Sequence, residues 1–177
     1  MKKYVLTGAP SSGKSSILLA LEKEFNYLII REAAEDLIKF YQANGIKEPW
    51  LLEEFQDELL KLQLQRELSV ENNKAYKEVF IDRGIVDGLA YYQFDKKELS
   101  SLMKLALENL KQKPYKKVFL IEKLGTYQKT KVRKESQEEA DFLEKLQEKN
   151  YQDQGYEVIR IKSAPIKERV KEILKHI

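Results

Sequence analysis

The sequence predicts an α/β fold of three layers, with a five-stranded parallel sheet held between helices. Three observations lead there. Five short apolar runs recur along the 177 residues, helical spacings fill the gaps between them, and most runs are continuously apolar rather than alternating. Strands buried on both faces of a parallel sheet have that last property. Strand–helix repeats then require right-handed crossovers.

The strands are expected at Tyr4–Thr7, Tyr27–Ile30, Val79–Ile81, Val118–Ile121 and Val158–Ile161. The first run stops at Gly8. Ile17, Leu18, Leu21 and Phe25 then recur at helical spacing. Leu51, Leu52, Phe55, Leu59 and Leu62 predict a second helix, and Leu99, Leu102, Met103, Ala106 and Leu110 a third. Ala140, Leu143, Leu146 and Tyr151 predict a fourth. The last helix, with Ile166, Val170, Ile173, Leu174 and Ile177, follows Pro165, a residue suited to a first helical turn. These stripes are read as core, and none is assigned a ligand on periodicity alone.

The length supports one compact domain. Apolar residues make up 42% and aromatics 10%, which excludes disorder as the overall state. Lysine and arginine number 32 against 29 acids, a net charge of +3, so nucleic acid is a disfavoured partner. The chain has no cysteine, which excludes disulfides, zinc–thiolate sites and a cysteine nucleophile. Its one histidine, His176, is next to the last residue, so neither a Ser-His-Asp triad nor a multi-histidine metal site is expected. No signal peptide or membrane span is visible, and a soluble, cytoplasmic protein is the expectation.

Gly8-Ala9-Pro10-Ser11-Ser12-Gly13-Lys14-Ser15 fits G-x-x-x-x-G-K-[ST], the P-loop. A loop of this form curls so that successive backbone N–H groups face phosphate oxygens, and its glycines permit the close approach. Lys14 adds a cation at the β- and γ-phosphates, Ser15 offers a hydroxyl to Mg²⁺, and the helix that follows points its positive end at the same anion. A chance match arises in about 0.6% of chains this long at average composition. The flanking strand and helix argue against chance. The expected nucleotide-binding set is Gly8 to Ser15 with Ser16, and the expected ligands are ATP and Mg²⁺.

Such a loop needs a carboxylate for the metal. Asp82 and Glu122 both end strands, where ligands bind in open α/β sheets. Asp82 is preferred, because Asp82-Arg83-Gly84 groups an acid, a base and a flexible residue. A helix N-cap is its bland alternative, and an ordinary surface acid is the favoured reading of Glu122. Glu32 follows the second strand and is a candidate to take or hold the proton of a substrate hydroxyl; an acid at a helix N-terminus is the alternative. Asp87 is a weaker substrate-side candidate. The basic run Lys129–Lys134 precedes a Glu-rich helix, and Arg133 is the choice for a lid arginine that neutralises charge during phosphoryl transfer.

Taken in order, these motifs resemble the NadR-like P-loop ATPase/kinase domains, an AAA-type ATP-binding family built like nucleoside kinases. The resemblance spans nearly the whole chain. It rests on Thr7-Gly8 to Ser15, Glu32-Ala33-Ala34, Leu62-Gln63-Leu64, Phe80–Gly84 with Asp87, Tyr127 through Arg133 to Ser136, and Gly155–Val158. Two positions depart from it: Glu35 and Thr130 stand where a base and an acid are common. The resemblance implies a single kinase-like domain over 1–177, with a helical acceptor-covering region at about 44–76 and a basic lid at about 123–135. It implies that Lys14, Asp82, Arg133 and Glu32 carry the chemistry. By the same likeness Glu32, Gln63, Arg83 and Asp87 line the acceptor side, and Ala164 and Pro165 pack the adenine ring. The expected activity is transfer of the ATP γ-phosphate to a hydroxyl of a small nucleoside-like metabolite. A nucleotide-dependent regulatory switch and a polynucleotide 5′-kinase are the alternatives.

Overall fold

A computed structural model describes residues 1–123 and 137–177. Its strands are β1 (Lys2–Thr7), β2 (Leu28–Ile30), β3 (Glu78–Asp82), β4 (Lys117–Ile121) and β5 (Val158–Ile161). They form one sheet in the order β2-β3-β1-β4-β5, and every pairing is parallel. The helices are α1 (Lys14–Phe25), α2 (Ala33–Ala43), α3 (Phe55–Glu71), α4 (Asp87–Phe94), α5 (Ser101–Gln112), α6 (Gln137–Asp153) and α7 (Ile166–Leu174). A short 3₁₀ turn covers Pro49–Leu51.

Alternation along the strands supplies two separate cores. Tyr4, Leu6, Phe80, Phe119 and Ile161 face Ile17, Leu21, Val170 and Ile173 of α1 and α7. Val5, Ile81 and Val118 face Leu60, Leu89, Met103 and Tyr151 on the opposite side. The three expected layers are therefore present.

The strand boundaries fall within two residues of those expected. The helices differ more. Leu51 is 66% exposed and belongs to the 3₁₀ turn, so the expected helix begins only at Phe55. Ser100 starts α5 by accepting a hydrogen bond from the Met103 N–H at 3.1 Å, a capping role that the apolar pattern did not reveal. Helix α4 was not expected, and α2 entered only as the alternative reading of Glu32, which occupies its N-cap position. Among the described residues, no helix is long and apolar enough to cross a membrane.

The sheet order explains where the site lies. Placing β3 beside β1 sets Asp82 opposite Leu6 in register, one residue before the phosphate loop leaves β1 at Thr7. The close packing there needs glycine: Gly8 has φ 122°, and a Cβ on it would lie 2.7 Å from the Ile121 carbonyl oxygen.

Candidate nucleotide and acceptor site

The loop from Gly8 to Gly13 joins β1 to α1, and Gly13 takes the left-handed conformation (φ 93°) as α1 begins. Lys14 is buried. Its Nζ donates to the carbonyls of Gly8 and Ala9, each at 3.0 Å, so the side chain folds back over the loop. Burial, reinforced by the charge of Arg83, lowers its pKa to about 8. Ser15 Oγ donates to Asp82 Oδ2 at 3.1 Å. Burial raises the Asp82 pKa to about 6 against the opposing pull of Lys14. Asp82 caps no helix; its other oxygen, Oδ1, is buried without a hydrogen-bond partner among the described residues.

Arg83 has a left-handed backbone (φ 65°), a costly state for a non-glycine residue. Two hydrogen bonds and an ion pair hold it there, and its Nη1 makes no hydrogen bond among the described residues. Its N–H donates to the Leu6 carbonyl at 3.0 Å, its Nε donates to Glu32 Oε1 at 3.0 Å, and its Nη1 lies 3.6 Å from Asp87 Oδ1. Glu32 occupies the N-cap position of α2, yet its side chain makes no capping bond and turns to Arg83 instead. Its backbone is braced by Arg66, whose Nη1 donates to the carbonyls of Arg31 and Glu32 at 2.8 and 3.2 Å.

Asp87 is buried at the start of α4, and its carboxylate is heavily engaged. Oδ1 accepts from Thr7 Oγ1 at 2.5 Å, while Oδ2 accepts from the Gly84 N–H at 2.8 Å and from Tyr151 OH at 2.6 Å. Gln63 points its Nε2 at Glu67 Oε1, 3.0 Å away. Glu67 also accepts from Tyr115 OH at 2.9 Å and Lys3 Nζ at 3.1 Å.

A cavity of about 940 Å³ opens beside the loop. Its wall joins Pro10 through Ser16 to Glu32, Gln63, Arg83 and Asp87, and Ile38, Trp50, Phe55, Leu60 and Tyr91 supply apolar surface. The structure thus brings most of the expected site residues around one space. Gly8, Ala9 and Asp82 lie behind that wall. Ala164 and Pro165 are also outside it, in the turn that follows β5, where Pro165 is the N-cap of α7. Glu122 pairs with Arg160 at 3.6 Å, as a surface acid does. Arg133 and most of the expected lid lie outside the described residues.

Several side chains at the site or beneath it carried no motif-level signal in the sequence. Tyr151, Tyr115, Glu67, Arg66, Glu144 and Arg169 reach the site or its supports from distant segments, and none sits in a local motif. Glu144 Oε2 accepts the Ala9 N–H at 3.1 Å across 135 positions, and Arg169 reaches Ser12 across 157.

A family model described as an AAA domain matches residues 3–169. The sequence finds no match among curated proteins. Several solved structures share the fold. A NadR protein in complex with NR superposes with a TM-score of 0.71 at 15% identity, over 98% of this chain and 49% of that one. Thymidylate kinase from Ehrlichia chaffeensis gives 0.68 at 16%, over 99% and 97%. Deoxyadenosine kinase from M. mycoides, with dCMP and dCDP bound, gives 0.64 at 13%, over 98% and 97%.

Proposed function

Since the chain belongs to the AAA-domain family and has the fold of the P-loop nucleoside kinases, we propose that it transfers the γ-phosphate of ATP to a hydroxyl of a nucleoside-like small molecule. One observation carries the reading. A single cavity joins the P-loop to Glu32, Gln63 and Arg83, so a triphosphate and an acceptor can meet in line. The neighbours support the class: their names record a thymidylate kinase and a deoxyadenosine kinase, and NadR was solved with NR and with NAD and AMP-PNP.

In this reading Lys14 leaves the Gly8 and Ala9 carbonyls for the phosphates. The acceptor oxygen bonds to the γ-phosphorus as the bond to the β–γ bridging oxygen breaks, and the hydroxyl proton passes to Glu32. ADP leaves with the bridging oxygen. Arg83 holds Glu32 in place through its Nε. The buried, unpartnered Asp82 Oδ1 beside Ser15 fits a hard dication, and Ser15 and Asp82 would hold Mg²⁺ directly or through water. Bound there, the metal supplies charge neutralisation on the phosphates. Gln63 and Arg83 face the acceptor, and Asp87 fixes the loop that presents Arg83. The turn at Ala164–Pro165 is assigned to the adenine ring.

A panel of nucleosides and related alcohols with γ-labelled ATP tests the proposal. The expected result is label on the hydroxyl of a nucleoside. ADP release that no acceptor accelerates overturns it. Glu32→Gln is expected to abolish transfer while ATP affinity stays within about twofold, since the carboxylate acts only on the acceptor.

A further inference from the structure

We infer that Arg169, on α7 and outside every recognised motif, is a positioning residue that aims the phosphate loop at its anion; the inference rests on the nucleotide-binding part of the function proposed above. Arg169 is 1% exposed, yet among the described residues it hydrogen-bonds to no carboxylate. Its guanidinium is spent on three main-chain carbonyls: Nη1 donates to Ser12 O at 2.6 Å, Nε to Lys162 O at 3.1 Å, and Nη2 to Glu122 O. Its neighbours Val170 and Ile173 already seal α7 against the sheet. Burying a cation is costly, so packing alone does not account for an arginine here.

The geometry of the peptide bond gives it a purpose. A trans peptide is planar, and its C=O and N–H point in opposite directions. The Ser12 carbonyl and the Gly13 N–H belong to one such unit. Arg169 draws that carbonyl outward, which turns the Gly13 N–H to the inner side of the loop. There the N–H has no protein acceptor among the described residues.

The other end of the loop obeys the same rule with the sign reversed. The Gly8–Ala9 unit gives its N–H to Glu144 of α6 at 3.1 Å and its carbonyl to Lys14 at 3.0 Å. Two side chains from distant helices thus decide which peptides present N–H to a phosphate: Gly13 does and Ala9 does not. Arg169 also ties the loop to the ends of β4 and β5, at Glu122 and Lys162. The second of these leads into the turn before α7.

Calorimetry on the full chain without magnesium tests this, with inorganic triphosphate, ADP and adenosine as the probes. Arg169→Met is expected to weaken triphosphate and ADP tenfold or more while adenosine changes less than twofold. In the wild type the Gly13 amide nitrogen resonance should move on adding triphosphate, and in the variant it should not. A merely structural arginine would lower all three affinities together or leave the Gly13 shift intact, and either result overturns the inference. If Arg169→Met does not fold, Arg169→Lys decides: it keeps the charge but not the fork, and wild-type triphosphate affinity in that variant overturns the proposal. Wild-type protein that binds no triphosphate rejects the proposed function itself. Wild-type protein that binds while both variants bind equally well rejects only the role of Arg169.

Discussion

Asp87 stands in the cavity wall with its carboxylate already heavily bonded within the protein. Its two oxygens accept from Thr7, Gly84 and Tyr151, and Arg83 lies 3.6 Å away. An amide in its place cannot accept at both atoms. Asp87→Asn is therefore expected to cost about 1–3 kcal/mol through buried donors left unpaired. For a chain of this size that is a fall in Tm on the order of 3–10 °C by thermal denaturation. Wild-type Tm with weakened acceptor binding would instead make Asp87 a direct acceptor contact. Gly84, beneath the same cluster, has no space for a methyl group: a Cβ would meet Tyr151 OH at 2.7 Å and Tyr115 Cε2 at 2.9 Å. Gly84→Ala should lose about 1–3 kcal/mol from overpacking, read from urea unfolding, and Tyr151→Phe should not restore it, because the Tyr115 contact remains. Lys14, Ser15 and Asp82 were legible beforehand because each stands inside a local pattern or at a strand end. The partners of Asp87 were not, since Thr7 and Tyr151 lie 80 and 64 positions away.

Elements became legible where their apolar residues run continuously or recur along one helical stripe. The strands carry short runs of consecutive apolar residues and stand out, although Lys2, Lys3, Glu78, Lys117 and Arg160 lie within them. Helix α4 has Leu89, Ala90 and Tyr92 buried on several sides between its neighbours, so no stripe marks it, and α2 buries only Ala33 and Ile38. A pair of buried phenols ties α4 to α6, and α3 to the segments before β4 and α4. Tyr151 on α6 donates to Asp87 on α4, and Tyr115, just before β4, donates to Glu67 on α3 and accepts the Ile85 N–H at 2.9 Å. Burial, then the nearby carboxylate in each case, raises both phenols well above their ordinary value. A folded pKa above the unfolded one means that the native state binds the proton more tightly. The stabilisation is complete below about pH 10, the ordinary tyrosine value, and is lost as pH rises beyond it. Near-ultraviolet absorbance should therefore show these two tyrosines ionising only together with unfolding, and the Tyr115→Phe/Tyr151→Phe variant should show a smaller alkaline decline, the remainder coming from other raised tyrosines such as Tyr4 and Tyr92. Full ionisation of all ten tyrosines in a chain still folded by circular dichroism contradicts the assignment.

At the scale of the molecule, composition and periodicity announced a layered α/β fold, but not which strands are neighbours. That choice is made by long-range packing, and it is what sets Asp82 of β3 beside the loop leaving β1. The cavity was equally hidden, because its wall is drawn from α1, α2, α3 and α4 and from the 3₁₀ turn carrying the chain's one tryptophan, Trp50. The same convergence makes ligand binding a property of the whole fold. A nucleotide that binds only the folded chain stabilises it by about 2.7 kcal/mol at a hundred times its Kd. The corresponding rise in Tm is on the order of 5–10 °C. Mg-ATP at saturation should produce that rise and should also alter Trp50 fluorescence once an acceptor is added. Lys14→Ala should keep the fold and show little of the rise. Chelation of magnesium should reduce it without reaching the Lys14→Ala level, because the Lys14 ammonium still meets the phosphates. An equal rise in the wild type and in Lys14→Ala would place the nucleotide away from the loop and remove the geometry on which the kinase reading depends.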